Sequence, residues 1–326
     1  MGLLGNAIVL LASMVFLALG SELTVNNAVK VSEVTSFGKT TIGFVLIGFC
    51  TSLPMLSVSI FAVIDPQEVG VAIGNVLGSN IVNIALILGL SILLVVLKRP
   101  RYPSFLLTLA KEEMGNLQFG LFVASIVPLA LLYIGYASRF IGVVLLAIFV
   151  YYMIQLARSK NLRQEASAPR EGGKIRGYTL SALAGVAVMF AAAFFVVDSA
   201  SFIATSVGIP AVVIGATIIA FGTSTPTFAT SVSSVRKGQF NLALGNIVGC
   251  GFINITLILG VALLAVPLSV NIAAFSNLVI FSLIINLFLW YFLSSEKISW
   301  REGALLVFLY AVFLVISFGA VSPISG

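Results

Sequence analysis

The stretch IALILGLSILLVVL at residues 84–97 carries a single polar side chain, Ser91, and runs of the same kind recur from one end of the chain to the other. A helix needs about 20 mostly apolar residues to cross a bilayer. These runs lack the alternation of polar and apolar residues that a barrel strand shows, so helices are expected rather than a β-barrel. Of the 326 residues, 60% are hydrophobic and 9% charged, whereas soluble domains carry roughly 25% charged residues. A soluble globular protein is excluded, and no water-soluble domain of useful size is left over. The expected fold is an all-α membrane protein with ten transmembrane helices.

Approximate spans fall at 3–29, 41–64, 69–97, 116–136, 140–157, 178–206, 211–234, 238–267, 273–293 and 303–322. The N-terminal segment lacks a basic flank and a small-residue cleavage site, so it reads as the first span and not as a removed signal. The one long polar break, 158–177, reads as a linker between two five-helix halves, 1–157 and 178–326. Lys and Arg accumulate in cytoplasmic loops, and all but Arg139 of the 17 basic residues fall in the breaks after spans one, three, five, seven and nine. The expected orientation in a cell (inner or plasma) membrane therefore puts both termini outside and the 158–177 loop in the cytoplasm. The net charge of +6 follows from this topology and does not call for a nucleic-acid partner; inorganic cations and the lipid bilayer are the expected partners. There is no histidine, and the two cysteines, Cys50 and Cys250, lie in apolar segments. A disulfide framework or zinc cluster is not expected, nor is a cofactor. The sequence leaves the oligomeric state open.

Two blocks repeat in the same order. IGFVLIGFCTSLPMLSVS (42–59) returns as IGATIIAFGTSTPTFATS (214–231), and GNVLGSNIVNIALILGL (74–90) as GNIVGCGFINITLILGV (245–261). They define motif hairpins at 42–97 and 214–267. Five is an odd number of spans, so the two copies enter the membrane from opposite sides. Inverted repeats of this kind are characteristic of secondary transporters, whose substrate site lies near the midplane where the copies meet.

The repeats also carry suitable chemistry. Pro54 and Pro226 sit inside spans and read as helix breaks, each freeing the carbonyl four residues earlier, at Cys50 and Gly222. Thr51 and Met55, Thr223 and Thr227, Ser79 and Asn83, and Cys250 and Asn254 are each four apart, so each pair shares a helix face. Gly74, Gly78, Gly245 and Gly249 read as small residues that let helices approach closely. A single Ser or Thr in a span more often bonds its own preceding turn. A paired set repeated beside a proline in both halves points instead to an oxygen-rich site.

CTSLP (50–54) and GTSTP (222–226), followed by GNVLGSNIVN (74–83) and GNIVGCGFIN (245–254), resemble the two α-repeats of the calcium/cation antiporter superfamily, which includes the sodium/calcium exchangers. The resemblance implies a secondary cation antiporter working by alternating access, not an enzyme. It implies site residues Thr51, Ser52, Ser79 and Asn83 in the first half and Thr223, Ser224 and Asn254 in the second, with the carbonyls of Gly48 and Ala220 facing ions. Where the family pattern has a glutamate after each proline, this chain has Met55 and Thr227. An aspartate position is Asn254, and a serine position is Cys250.

Such a site has no carboxylate. Calcium is usually held by six to eight oxygens, several of them charged, so selectivity is expected to shift toward a monovalent ion. Sodium is the leading candidate, with calcium, potassium and protons as the other ions. Glu22 and Asp198 lie inside spans and could bind protons or line an ion path, or else sit near an interface. Asp65 and Glu68 read as a solvated outer turn. Met55, Cys50 and Cys250 also suit a soft metal such as copper(I), although cysteine often serves as a small apolar residue in membrane helices. The competing reading is a non-transporting membrane binding or regulatory protein that keeps the exchanger fold.

Overall fold

The computed structural model describes residues 2–35, 48–64, 69–98, 104–106, 111–134, 136–158, 175–238, 240–266, 268–269, 272–294 and 297–319. Helices dominate them: α1 (Leu3–Thr35), α2 (Gly48–Ala62), α3 (residues 69–98), α4 (Lys111–Ile134), α5 (Arg139–Arg158) and α6 (Ile175–Val207) come first. They are followed by α7 (Ala211–Thr223), α8 (Thr225–Arg236), α9 (Phe240–Ala265), α10 (Ile272–Ser294) and α11 (Trp300–Gly319). Six stretches are long and apolar enough to cross a membrane, and α7 with α8 makes a seventh candidate, bent by 44° at its break. Shorter apolar helices occupy Gly48–Ala62, Gln118–Leu131 and Arg139–Gln155. Helices suit this chain because each satisfies its own backbone N–H and C=O groups where lipid offers no partner.

Several helices outrun the expected spans. α1 continues to Thr35 and α4 begins at Lys111, because hydropathy marks the apolar stretch whereas helical hydrogen bonding carries on into polar surroundings. Residues 41–47 of the expected second span, Asp65 and Glu68, and residues 159–174 of the linker lie outside the described residues. Two short antiparallel ladders were not expected from the apolar pattern. β1 (Ser104–Leu106) pairs with β4 (Lys297–Ser299), and β2 (Tyr136–Ala137) pairs with β3 (Leu268–Ser269). Strands of two or three residues leave no periodicity to read.

Local structure matches between the halves. α1 and α6 each contain 33 residues, and they begin at repeat-related positions. α3 widens to π winding at Val82–Leu88, and α9 does so at Asn254–Ile258, so Asn83 and Asn254 both sit at the start of a π stretch. π turns are rare and concentrate at functional sites. A further π stretch, Gly215–Ile219, lies in α7; its counterpart at 43–47 falls outside the described residues.

The prolines behave differently from one another, which corrects the expectation of two helix breaks. α2 runs through Pro54 without interruption. In the second half the chain turns at Ser224, with φ −85° and ψ −5°, and Pro226 falls in the first turn of the new helix α8. A proline there forfeits no helical hydrogen bond. The helix that ends at this break carries Gly222, a weak helix former, where α2 has Cys50.

Two apolar clusters form the core. One gathers Leu77, Ile84, Phe252, Ile285 and Phe313 from α3, α9, α10 and α11; the other gathers Leu17, Val58, Met189 and Val196 from α1, α2 and α6. Outward faces are also apolar, with Leu4, Ile8, Leu11, Phe194 and Phe195 exposed, as lipid contact requires. Between α3 and α7 the backbones nearly touch: a Cβ on Gly74 would lie 2.2 Å from the Val212 carbonyl oxygen, and one on Gly78 2.2 Å from that of Ala216. These two glycines pack as expected. A Cβ on Gly245 would meet nothing within 4 Å among the described residues.

Because the obstacle at Gly78 is backbone, Gly78→Val forces α3 and α7 apart and should cost about 1–3 kcal/mol or more. Thermal unfolding in detergent is expected to show a clear fall in Tm for Gly78→Val and none for Gly115→Ala, where the added methyl meets open space.

Candidate ion-binding site

Four segments supply the buried polar groups. α2 carries Thr51 and Ser52, α3 carries Asn75, Ser79 and Asn83, the α7–α8 break carries Thr223, Ser224 and Thr227, and α9 carries Asn246, Cys250 and Asn254; all are buried. The halves hold each other by matching bonds. Thr51 Oγ1 donates to Asn246 Oδ1 at 3.2 Å, and the repeat-related Thr223 Oγ1 donates to Asn75 Oδ1 at 2.8 Å. Ser79 Oγ lies 3.5 Å from Thr223 Oγ1, and Cys250 Sγ, the repeat counterpart of Ser79, lies 3.0 Å from Thr51 Oγ1. The second carboxamide atom of each asparagine is also engaged: Asn75 Nδ2 donates to the Met55 carbonyl and Asn246 Nδ2 to Thr230 Oγ1.

Cys250 is central to one side of this cluster, with Thr51, Thr227 and Asn246 Oδ1 within bonding distance and its thiol donating to the Gly48 carbonyl at 3.5 Å. Ser52 lies beside the Cys250 thiol without reaching hydrogen-bond geometry. On the other side the Ala220 carbonyl is 3.3 Å from Thr223 Oγ1. Thus Gly48 and Ala220, expected to offer carbonyls, lie at the cluster, where neighbouring hydroxyls share them.

Other groups have no hydrogen-bond partner among the described residues. Both polar atoms of Asn83 and Asn254, and the hydroxyls of Ser52 and Ser224, are buried without a hydrogen-bond partner. An unsatisfied buried polar atom costs about 1–3 kcal/mol, and here the orphans come in repeat-related pairs. The described buried residues include no Asp, Glu, Lys or Arg. The cluster is therefore rich in neutral oxygens and free of formal charge. It can coordinate a partly dehydrated cation through hydroxyls, carboxamides and carbonyls, as carbonyl filters do.

Sequence-expected residues outside this grouping are also placed. Met55 is buried and contributes its carbonyl to Asn75. Glu22 and Asp198 are exposed on α1 and α6, so neither carboxylate enters the buried cluster. Cys50 and Cys250 are free thiols, and no group of three or more His, Cys, Asp or Glu able to hold a metal occurs among the described residues.

Asn75 and Asn246 were not singled out from sequence. Their signal was present, since each directly follows the glycine that opens the second repeated block, but only the fold shows that they cross to the opposite half. Asn80 was missed as well: its Nδ2 donates to Ser282 Oγ at 2.8 Å, and its Oδ1 sits 2.7 Å from where a Cβ on its repeat counterpart Gly251 would stand.

A double-mutant cycle on Thr223→Val and Asn75→Leu should report a coupling of about 0.5–1.7 kcal/mol in detergent stability, the scale of interhelical hydrogen bonds in membranes. The Thr51–Asn246 pair should give a coupling of similar size, and additive losses would mean that the bonds do not join the halves.

A helical bundle with apolar outward faces thus encloses a buried cluster of neutral polar groups, some hydrogen-bonded to one another and some without a partner among the described residues. The sequence matches the model for the sodium/calcium exchanger protein family over residues 5–157 and 177–319. It is 32% identical to the sodium/calcium exchanger MaX1 of Methanosarcina acetivorans, covering 96% of this chain and 98% of that one. It is 31% identical to the inner membrane protein YrbG of Escherichia coli, covering 76% and 78%. Among solved structures, the sodium-calcium exchanger NCX_Mj superposes with a TM-score of 0.68 at 26% identity, over 97% of this chain and 99% of that one. The chain belongs to the sodium/calcium exchanger family, and it is a multi-pass transmembrane ion antiporter.

Proposed function

We propose that this protein exchanges cations by alternating access around the Thr51–Asn246 and Thr223–Asn75 cluster, with selectivity shifted from calcium toward a monovalent ion, sodium first. The observation that carries this reading is the set of neutral, partnerless groups at Ser52, Asn83, Ser224 and Asn254. Ser79, Thr227 and the Gly48 and Ala220 carbonyls complete the ligand set, and Cys250 replaces one hard oxygen with a soft sulfur. Stripping water from a divalent ion is costly unless charged ligands replace it. A monovalent ion demands less, and uncharged oxygens suffice.

The ten-span architecture of two inverted halves, 1–157 and 178–326, belongs to the same proposal. Support comes from the strand ladders. One joins the connections after spans three and nine, and the other joins those after spans four and eight, pairs that alternating topology puts on common faces. The basic residues favour a cytoplasmic 158–177 linker with both termini outside. Similarity to the inner membrane protein YrbG supports an inner or plasma membrane location, and similarity to the sodium/calcium exchangers MaX1 and NCX_Mj supports sodium and calcium as the first ions to test.

Flux in proteoliposomes tests the proposal: a sodium gradient is expected to drive coupled exchange, with potassium, calcium and protons as the comparison ions. Absence of flux for every ion would overturn it in favour of a non-transporting exchanger homologue. Met55→Glu together with Thr227→Glu should raise calcium affinity by about tenfold or more, some 1.4 kcal/mol, in isothermal titration. No gain would mean that these positions do not face the ion. Asn83→Ala and Asn254→Ala should each weaken sodium binding by about fivefold, the worth of one hydrogen-bond-scale contact. Ser294→Ala, at an exposed hydroxyl bonded to the Trp290 carbonyl, should leave binding unchanged.

A further inference from the structure

Three repeat-related pairs stand out among the buried side chains whose polar atoms lack a partner: Ser52 with Ser224, Asn83 with Asn254, and Ser59 with Ser231. The other partnerless serines, Ser21, Ser91, Ser199 and Ser201, match Ala193, Ala262, Asn27 and Val29 in the repeat and form no such pair. The first two pairs belong to the central cluster, but the third does not. Ser59 lies seven residues beyond Ser52 on the uninterrupted helix α2, and Ser231 lies seven beyond Ser224, along α8. Seven residues return to nearly the same helix face and advance about 10 Å.

Ser59 is 2% exposed, and Ser231 is fully buried. With the cluster near the midplane, where the exchange reading puts it, an advance of about 10 Å keeps both hydroxyls within the hydrocarbon half-thickness of about 15 Å. Neither headgroups nor bulk water lie at that depth to satisfy them. A buried hydroxyl without a partner is destabilising, and its recurrence at matching positions in both halves makes an accident of packing a poor account. Both residues lie toward the C-terminal end of their helices from the cluster. In an inverted repeat those ends point to opposite membrane faces.

We propose that Ser59 and Ser231 are way stations for a partly dehydrated monovalent cation, one on each side of the central cluster, each serving a single membrane face. The proposal rests on the exchange reading above. Each hydroxyl replaces one water of the ion's shell during entry or exit and lowers the barrier without adding to equilibrium binding at the centre. Ser59 would serve the outer face and Ser231 the cytoplasmic face, because α8 ends at Arg236 and Lys237, residues expected in the cytoplasm.

The test is sided labelling. Ser59→Cys and Ser231→Cys, made separately in the full chain and reconstituted, are treated with a membrane-impermeant thiol reagent on one face or the other. Peptide-resolved mass spectrometry distinguishes the new thiols from Cys50 and Cys250. The expected result is modification of position 59 from one face only and of position 231 from the opposite face only. Modification of both from the same face, of either from both faces, or of neither while the unmodified chain transports sodium, overturns the proposal. A second arm uses Ser59→Ala and Ser231→Ala: exchange should slow by about fivefold, the value of one lost hydrogen bond, with equilibrium sodium affinity unchanged. Equal losses of rate and affinity would place these serines in the central site and also overturn it. Absence of sodium flux in the unsubstituted chain would defeat the exchange reading itself, so the two failures are distinguishable.

Discussion

The reciprocal Thr–Asn hydrogen bonds between the halves are the interaction around which the rest of this structure is arranged. In hydrocarbon a carboxamide or hydroxyl has no solvent to fall back on, so a polar group on one helix must find its complement on another. Asn75 reaches Thr223 and Asn246 reaches Thr51, and each asparagine spends its amide nitrogen on a further neighbour. These two pairs tie α2 to α9 and α3 to α7. Gly74 and Gly78 make that meeting possible by letting the backbone of α3 lie against that of α7.

Within that frame, the groups that remain unpaired are as informative as those that pair. Protein interiors rarely leave a carboxamide wholly unsatisfied, yet Asn83 and Asn254 are both left so, each beside a π-wound stretch. The distribution follows the repeat: Thr51 and Thr223 bond Asn246 and Asn75 across the halves, while Ser52, Ser224, Asn83 and Asn254 have no partner among the described residues. Because every buried polar residue described here is neutral, the protein asks for no counter-charge when the site is empty. Neutral oxygens stabilise a monovalent ion far better than a divalent one, and that difference is the physical basis for the proposed selectivity. The sulfur of Cys250 opposite Ser79 makes the two sides chemically unequal although their geometry corresponds.

Much of this was legible in the residues. The apolar runs, the duplicated CTSLP/GTSTP and GN-G-N blocks, and the membership in the exchanger family all followed from the linear order, because hydropathy and repetition are one-dimensional properties. Thr51, Ser79, Thr223 and Cys250 were picked out by spacing and do come together. Other features escaped for identifiable reasons. Pro54 and Pro226 look alike in sequence, but one is carried inside a helix and the other starts a new one, an outcome that depends on Gly222, on Ser224 and on the helices packed around them. The two β ladders join connections far apart in the chain and too short to show a pattern. Asn75 and Asn246 read as ordinary polar residues until their partners in the opposite half are seen.

The amino-acid order by itself determined that this chain is a helical membrane protein with two repeated blocks whose polar residues are all uncharged. It could do so because lipid imposes its demand on each segment separately. Which of those polar residues bond one another, and which stay without a partner, was decided only by the tertiary structure. A hydrogen bond needs both partners within about 3 Å, and residues 195 apart, such as Thr51 and Asn246, acquire that proximity only when the halves pack together.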